Sequence, residues 1–180
     1  IIERTLDLTI NSTLLTLISL LIAFVPPLLW LTVFYRQDRL DPEPKSFVFK
    51  TLILGALVQK AVYAPIMKVM IPEAQTGPNI SDYIFTVILV ALIQESIKLL
   101  SVRYSIYVSD EFDEKIDGII YGSAVGLGFA AMINLDLIIS NGGSVLTAIS
   151  SIVVIESLAH ASFTGLSCYF LGISKFSKFN

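Results

Sequence analysis

The chain has few charged residues and almost no cysteine. Charged residues make up 15% of its 180 positions, whereas soluble domains carry about 25%. Hydrophobic residues make up 54%, and the mean hydropathy is +0.77. These values exclude an ordinary soluble domain and are typical of a membrane protein. The single cysteine, Cys168, excludes an internal disulfide and a metal cluster built from cysteines.

A concentrated basic surface and a signal peptide are also missing. The net charge is −3 and is spread over several loops, which gives no basic surface for nucleic acid and no polybasic lipid patch. The apolar composition makes membrane lipid the expected partner, with no nucleic acid. Glu3 and Asp7 precede the first apolar run, where a signal peptide carries positive charge. Because the chain begins at Ile1 and not at methionine, we expect a segment before it. Repeats and low-complexity runs are absent from the sequence, which predicts one transmembrane domain over residues 1–180.

Five long apolar runs dominate the sequence. A bilayer core about 30 Å thick needs roughly 20 apolar residues in a helix. We therefore predict an all-α membrane bundle of about five helices, the fifth long or broken, near residues 14–35, 47–71, 84–107, 116–139 and 145–173. Pro26 and Pro27 predict a kink in the first helix. Gly118, Gly122 and Gly126 share one face of the fourth helix and predict the close approach of a neighbour.

Basic residues occur in alternate connections between the runs. They are Arg36, Arg39, Lys45, Arg103, Lys115, Lys175 and Lys178. By the positive-inside rule, this pattern places the N-terminus outside the cell and the C-terminus in the cytoplasm.

Several polar residues interrupt the apolar runs. They are Lys60, Gln94, Glu95, Lys98, Asn134, Glu156 and His160. A charge near the bilayer centre costs about 3 kcal/mol even on a mild scale, so each is a candidate functional residue. At 1.5 Å per residue, those of helices three to five lie about 16 to 26 Å deep, which predicts one polar cavity. For Lys60 and Glu156 we favour a structural ion pair.

The polar residues admit both a chemical and a structural interpretation. A carboxylate can take a proton from water, and a histidine can donate to an oxyanion or bind a metal. Alternatively, Glu95 and Lys98, three residues apart, form a buried ion pair, His160 is a packing residue, and Asn134 bridges two helices. A proton relay through Lys60, Glu95 and His160 is a third interpretation, and it would predict inverted repeats, which the sequence lacks.

Four motifs carry a resemblance to a known family. In chain order they are FYRQDRLDPEPKSFVFKTLILGAL (34–57), QESIK (94–98), DGIIYGSAVGLGFAAMIN (117–134) and HASFTGLSCYFLG (160–172). Together they resemble the signature of the PrsW family of intramembrane proteases, which is related to the CAAX prenyl protease and CPBP group. The resemblance implies an integral protein of a bacterial or archaeal plasma membrane. It also implies an endopeptidase that cleaves a membrane-anchored protein or peptide with water activated by glutamate and histidine.

The resemblance also implies a set of site residues. The catalytic positions fall on Gln94, Glu95, Asn134 and His160, with Lys98 and Ile133 in support. Gln94 and Ile133 stand where the family pattern has glutamates. An amide is not a base at neutral pH and isoleucine has no polar side-chain atom, so we expect an inactive or impaired protease. The sequence leaves open whether these two residues are engineered or natural.

Two further expectations follow from Gln94 and Ile133, the residues that differ from the family pattern. The alternative function is a non-catalytic pseudoprotease that binds transmembrane helices or lipidated peptides. An intact family site would suit zinc, but a catalytic zinc usually has three protein ligands. Glu95 and His160 supply two, so we expect no bound metal and no other cofactor in this chain.

Overall fold

Five long helices make up the described part of the fold. The computed structural model describes residues 12–37, 42–70, 79–140 and 146–177, and this part contains no strand. The helices are α1 (Ser12–Tyr35), α2 (Lys45–Met70), α3 (Ile80–Tyr104), α4 (Asp117–Ser140) and α5 (Leu146–Phe176). Each contains a stretch long and apolar enough to cross a membrane. The all-α prediction of five spans is therefore confirmed, and the protein is an integral membrane protein.

Individual helices add detail to the prediction. Helix α1 continues through Pro26 and Pro27 without a break. Helix α5 is one unbroken helix of 31 residues, so it is long and not split. Helix α2 contains one π-helical segment, Gln59–Tyr63, a local widening that is frequent at functional sites. The predictions that concerned Glu3, Asp7, Arg39 and Lys178 lie outside the described residues.

Helix α4 is the central helix of the bundle. Most of its residues are buried, and α1, α2 and α5 pack around it. A side chain at Gly118 would place its Cβ 2.1 Å from the carbonyl oxygen of Cys168, and one at Gly126 would place it 2.5 Å from that of His160. On another face of α4, a Cβ at Gly128 would lie 1.8 Å from the carbonyl oxygen of Leu52 on α2. Glycine therefore permits the backbones to approach closely, as the spacing predicted.

The outer surfaces of the helices are apolar, as a lipid environment requires. Large exposed side chains include Leu21 and Leu29 on α1 and Phe85 and Leu92 on α3. The α3 helix is buried mainly at Lys98 and Val102, near its C-terminal end. This end is where α3 meets α4 and α5, and it carries the polar residues of the candidate site.

Candidate active site

Lys98 lies at the centre of a polar cluster formed by α3 and α5. Its side chain is fully buried, and its Nζ lies 2.5 Å from Glu95 Oε1, one turn earlier on the same helix. The same Nζ lies 2.9 Å from Nδ1 of His160 on α5. Lys98 therefore bonds to both Glu95 and His160, which the sequence analysis expected to share one polar cavity. The predicted Glu95–Lys98 ion pair is present.

Glu95 has a second partner that the sequence interpretation missed. Thr164 lies four residues after His160 on α5 and donates a hydrogen bond from Oγ1 to Glu95 Oε2, at 3.1 Å. Both carboxylate oxygens of Glu95 thus accept a hydrogen bond. Residues four apart share a helix face, so the HASFT segment contained a signal for Thr164. The close contact at Gly126 positions this face of α5 against α4.

His160 is flanked by opposite charges. Its Nδ1 faces the Lys98 ammonium, and its Nε2 lies 4.0 Å from Glu156 Oε1, one turn earlier on α5. The Phe129 ring packs beside it, with the two ring centroids 5.7 Å apart, and Lys98 Nζ lies 5.2 Å from the Phe129 centroid. The imidazole is 7% exposed. The imidazole therefore packs against Phe129 on one side and faces Lys98 and Glu156 on two others.

Asn134 bridges α4 and α5. Its Nδ2 donates to Ser157 Oγ at 3.0 Å, and Ser157 is three residues from His160 on α5. Two buried amide oxygens have no hydrogen-bond partner among the described residues, Asn134 Oδ1 and Gln59 Oε1. Gln59 begins the π-helical segment of α2. Buried acceptors are normally satisfied, so these two oxygens are suited to accept from water or from a peptide N–H.

The remaining predicted site positions flank this cluster. Gln94 is half-buried on α3, immediately before Glu95, and Ile133 is half-buried on α4, immediately before Asn134. The structure brings together Glu95, Lys98 and His160.

The predicted pairing of Lys60 with Glu156 is wrong. Lys60 forms an ion pair with Asp136, and both side chains are about half exposed. Lys60 lies on α2 and Asp136 on α4, and these two helices are neighbours. Glu156 lies on α5 beside His160. Asp136 was missed because NLDLIIS reads as the end of an apolar run.

A second polar cluster lies where α1 ends and α4 begins. The buried carboxyl of Glu43 accepts a hydrogen bond from the Tyr121 hydroxyl, and the Glu43 carbonyl oxygen accepts one from Tyr35, at 2.8 Å. Asp117 Oδ2 accepts hydrogen bonds from the backbone N–H of Asp113 at 2.8 Å and of Glu114 at 2.6 Å. The segments PEP (42–44) and DGIIYG (117–122), which belong to motifs of the family resemblance, therefore meet in space.

Burial raises the pKa of Glu43 from 4.5 to about 8. The hydrogen bond from Tyr121 opposes this rise, whereas the hydrogen bond to Asp117 and the negative charges of Asp117 and Asp113 add to it. At neutral pH the Glu43 carboxyl therefore mainly keeps its proton. The cluster ties the chain before α2 to the start of α4 through the hydrogen bonds of Glu43 and Asp117.

Neither cluster fits a catalytic zinc. Ligand atoms of Glu43, Asp113 and Asp117 lie within 4.8 Å of one another, but the set lacks the imidazole that catalytic zinc sites use. In the other cluster, the Lys98 ammonium lies between Glu95 Oε1 and His160 Nδ1 and engages both atoms. A metal there would have to displace a buried cation.

The fold and the cluster of Glu95, Lys98 and His160 define an integral membrane protein with a buried carboxylate–ammonium–imidazole site. A model of the PrsW family of intramembrane metalloproteases matches residues 43–180. The chain belongs to this family.

Curated relatives agree with the family assignment. Protease PrsW of Geobacillus kaustophilus is 35% identical over 160 residues, which cover 88% of this chain and 68% of that protein. Protease PrsW of Oceanobacillus iheyensis is 32% identical over 160 residues, covering 88% and 71%. Protease PrsW of Bacillus subtilis is 30% identical over 117 residues, covering 65% of this chain and 52% of that protein. Each match leaves part of the relative uncovered. No solved structure gives a significant match.

Proposed function

We propose that this chain is an intramembrane endopeptidase domain for a membrane-anchored protein or peptide, with its catalytic power impaired by Gln94 and Ile133. The observation that carries the proposal is the meeting of Glu95, Lys98 and His160 in one buried cluster. Peptide hydrolysis needs a group that activates water and a donor that stabilises the oxyanion. A carboxylate next to Glu95 would supply the first function, and His160 would supply the second.

The bonding of Glu95 supports impairment. A general base needs a free lone pair within reach of the water that it deprotonates. Glu95 Oε1 accepts from Lys98 and Oε2 accepts from Thr164. Each oxygen therefore already accepts from one donor, which suits Glu95 to anchoring Lys98. By the family resemblance the missing base belongs at Gln94.

Restoring the two glutamates tests the proposal. The Gln94→Glu/Ile133→Glu variant is reconstituted in lipid vesicles with a library of single-span peptides, and the products are identified by mass spectrometry. We expect cleavage within or next to the span at least tenfold above that of the unaltered chain. The matched control adds Glu95→Gln to the restored variant, which releases Lys98 and should return cleavage to the starting level. A restored protein that binds these peptides but cleaves none would contradict the proposal.

A non-catalytic binding module is the second candidate function. The observation that favours it is the occupation of both Glu95 oxygens, together with two buried amide oxygens that can accept from a peptide backbone. In that case the unaltered chain holds a transmembrane peptide without cleaving it. The measurement is peptide retention in vesicles by the unaltered chain, compared with Gln59→Leu and Asn134→Leu variants. Binding that is equal in all three would contradict a role for these oxygens.

A further inference from the structure

His160 is the single histidine of the chain, and charged groups face both of its ring nitrogens. Lys98 Nζ lies 2.9 Å from Nδ1, and Glu156 Oε1 lies 4.0 Å from Nε2. An ammonium only donates hydrogen bonds, and an ionised carboxylate only accepts them. The two ends of the imidazole thus face environments of opposite hydrogen-bonding character.

We infer that Lys98 holds His160 as the neutral tautomer with its proton on Nε2, the nitrogen that faces Glu156, and that this arrangement prevents His160 from binding a metal. Lys98 is paired with Glu95 at 2.5 Å, and a carboxylate at this distance favours its ammonium form. Its N–H group donates to Nδ1, which must then present a lone pair and carry no proton. A neutral imidazole has one proton, so that proton lies on Nε2, on the side of the Glu156 carboxylate.

This tautomer leaves no nitrogen for a metal. A metal at Nδ1 would compete with Lys98 for the same lone pair. A metal at Nε2 would require the proton to move to Nδ1, where its N–H would face the N–H of the ammonium. Either outcome removes the hydrogen bond between Lys98 and His160 and brings a second cation close to a fully buried ammonium, which is strongly unfavourable.

The assignment gives His160 a defined role, and in this respect it rests on the proposed function. The Nε2–H group points towards the 4.0 Å gap before Glu156, where it can donate to a carbonyl oxygen that becomes an oxyanion. Lys98 acts through His160 and is a positioning residue. Hydrolysis at this cluster then uses a hydrogen-bond donor on His160, although the family is described as one of metalloproteases.

Nitrogen NMR of the protein in lipid bilayers tests this inference directly. Because the chain has one histidine, labelling the imidazole with ¹⁵N gives signals from His160 alone. At neutral pH we expect an unprotonated, pyridine-type Nδ1 signal and a protonated, pyrrole-type Nε2 signal. Addition of zinc chloride should leave both unchanged. A protonated Nδ1, or a zinc-dependent change in the unaltered protein, would overturn the inference.

Three variants isolate the contribution of Lys98. Lys98→Met removes the donor, so we expect a mixture of tautomers and signals that shift with zinc. Lys98→Arg keeps a donor and should keep the Nε2–H tautomer. Lys60→Met is the matched control, because Lys60 is also a membrane-helix lysine but pairs with Asp136; its spectrum should equal that of the unaltered protein.

The outcomes separate this inference from the proposed function. A Lys98→Met spectrum identical to that of the unaltered protein would contradict the role of Lys98. If Lys98→Met does not fold, the spectrum of the unaltered protein with and without zinc still decides the tautomer. The readout requires no cleavage, so a restored Gln94→Glu/Ile133→Glu variant that cleaves nothing but keeps the expected spectrum would overturn the proposed function alone.

Discussion

Lys98 and His160 lie 62 residues apart in the chain, and Lys98 Nζ is 2.9 Å from His160 Nδ1. This contact joins α3 to α5 at a point where both side chains are buried. It also links the QESIK motif to the HASFTG motif, so two segments that carried the family resemblance form one site. One side chain, Lys98, therefore contacts residues of both motifs.

Removing the Lys98 ammonium should strongly destabilise the bundle. In Lys98→Met the Glu95 carboxylate keeps only its bond from Thr164, and breaking one side of a buried ion pair typically costs about 3–5 kcal/mol. We expect a loss of this size in the free energy of unfolding in detergent micelles. Lys60→Met removes a half-exposed pair and should cost about 1 kcal/mol or less. Equal effects of the two substitutions would contradict the central position of Lys98.

Neutralising Glu95 should rescue part of that loss. In Lys98→Met/Glu95→Gln no buried carboxylate remains unpaired, so the double variant should be more stable than Lys98→Met. The double-mutant cycle measures this coupling, which for residues in contact is about 0.5–3 kcal/mol. Additive effects would show that the two side chains do not interact in the folded protein.

The glycine contact between α4 and α5 should be sensitive to a single methyl group. Gly126→Ala places its Cβ 2.5 Å from the His160 carbonyl oxygen. This oxygen belongs to the backbone of α5, which cannot rotate away as a side chain can. We expect a loss of about 1–3 kcal/mol in the free energy of unfolding, typical of overpacking. In the control Gly165→Ala, the near atom is Ser123 Oγ at 2.6 Å, a side chain that can rotate away. A larger loss in the control would contradict the packing described for α4 and α5.

The Glu43 cluster should make stability depend on pH. Because the folded state raises the pKa of Glu43 from 4.5 to about 8, folded protein holds this proton more tightly than unfolded protein. The stabilisation that protonated Glu43 gives the folded protein is fully present below about pH 4.5. It is lost as pH rises through about 8. Thermal unfolding between these values should show a melting temperature that falls with rising pH. Glu43→Gln should flatten this slope, and a slope that persists unchanged would exclude Glu43 as its source.

The fold followed from the sequence more completely than the site did. Run length and hydropathy predicted five helices, and the spacing of Gly118, Gly122 and Gly126 predicted which face of α4 a neighbour approaches. Pairing between distant helices was harder. Lys60 was assigned to Glu156 because both are polar residues in apolar runs, but its partner Asp136 depends on the packing of α2 against α4. Contacts between helices are not visible in periodicity along one helix.

In the site, too, contacts within one helix could be predicted from the sequence and contacts between helices could not. The three-residue spacing in QESIK predicted the pair of Glu95 with Lys98, which lies within one turn. The bond from Lys98 to His160 and the bond from Thr164 to Glu95 join different helices, and only their arrangement in space reveals them. The predicted catalytic roles of Gln94, Glu95, Asn134 and His160, and the absence of a metal, stay predictions.

A high-resolution experimental structure, determined from crystals soaked in zinc with data at the zinc absorption edge, would show directly whether Lys98 or a metal occupies His160. We expect Lys98 Nζ between Glu95 and His160, within hydrogen-bond distance of both, and no anomalous peak at either imidazole nitrogen. An anomalous peak bound by His160, with the Lys98 side chain turned away, would contradict this expectation.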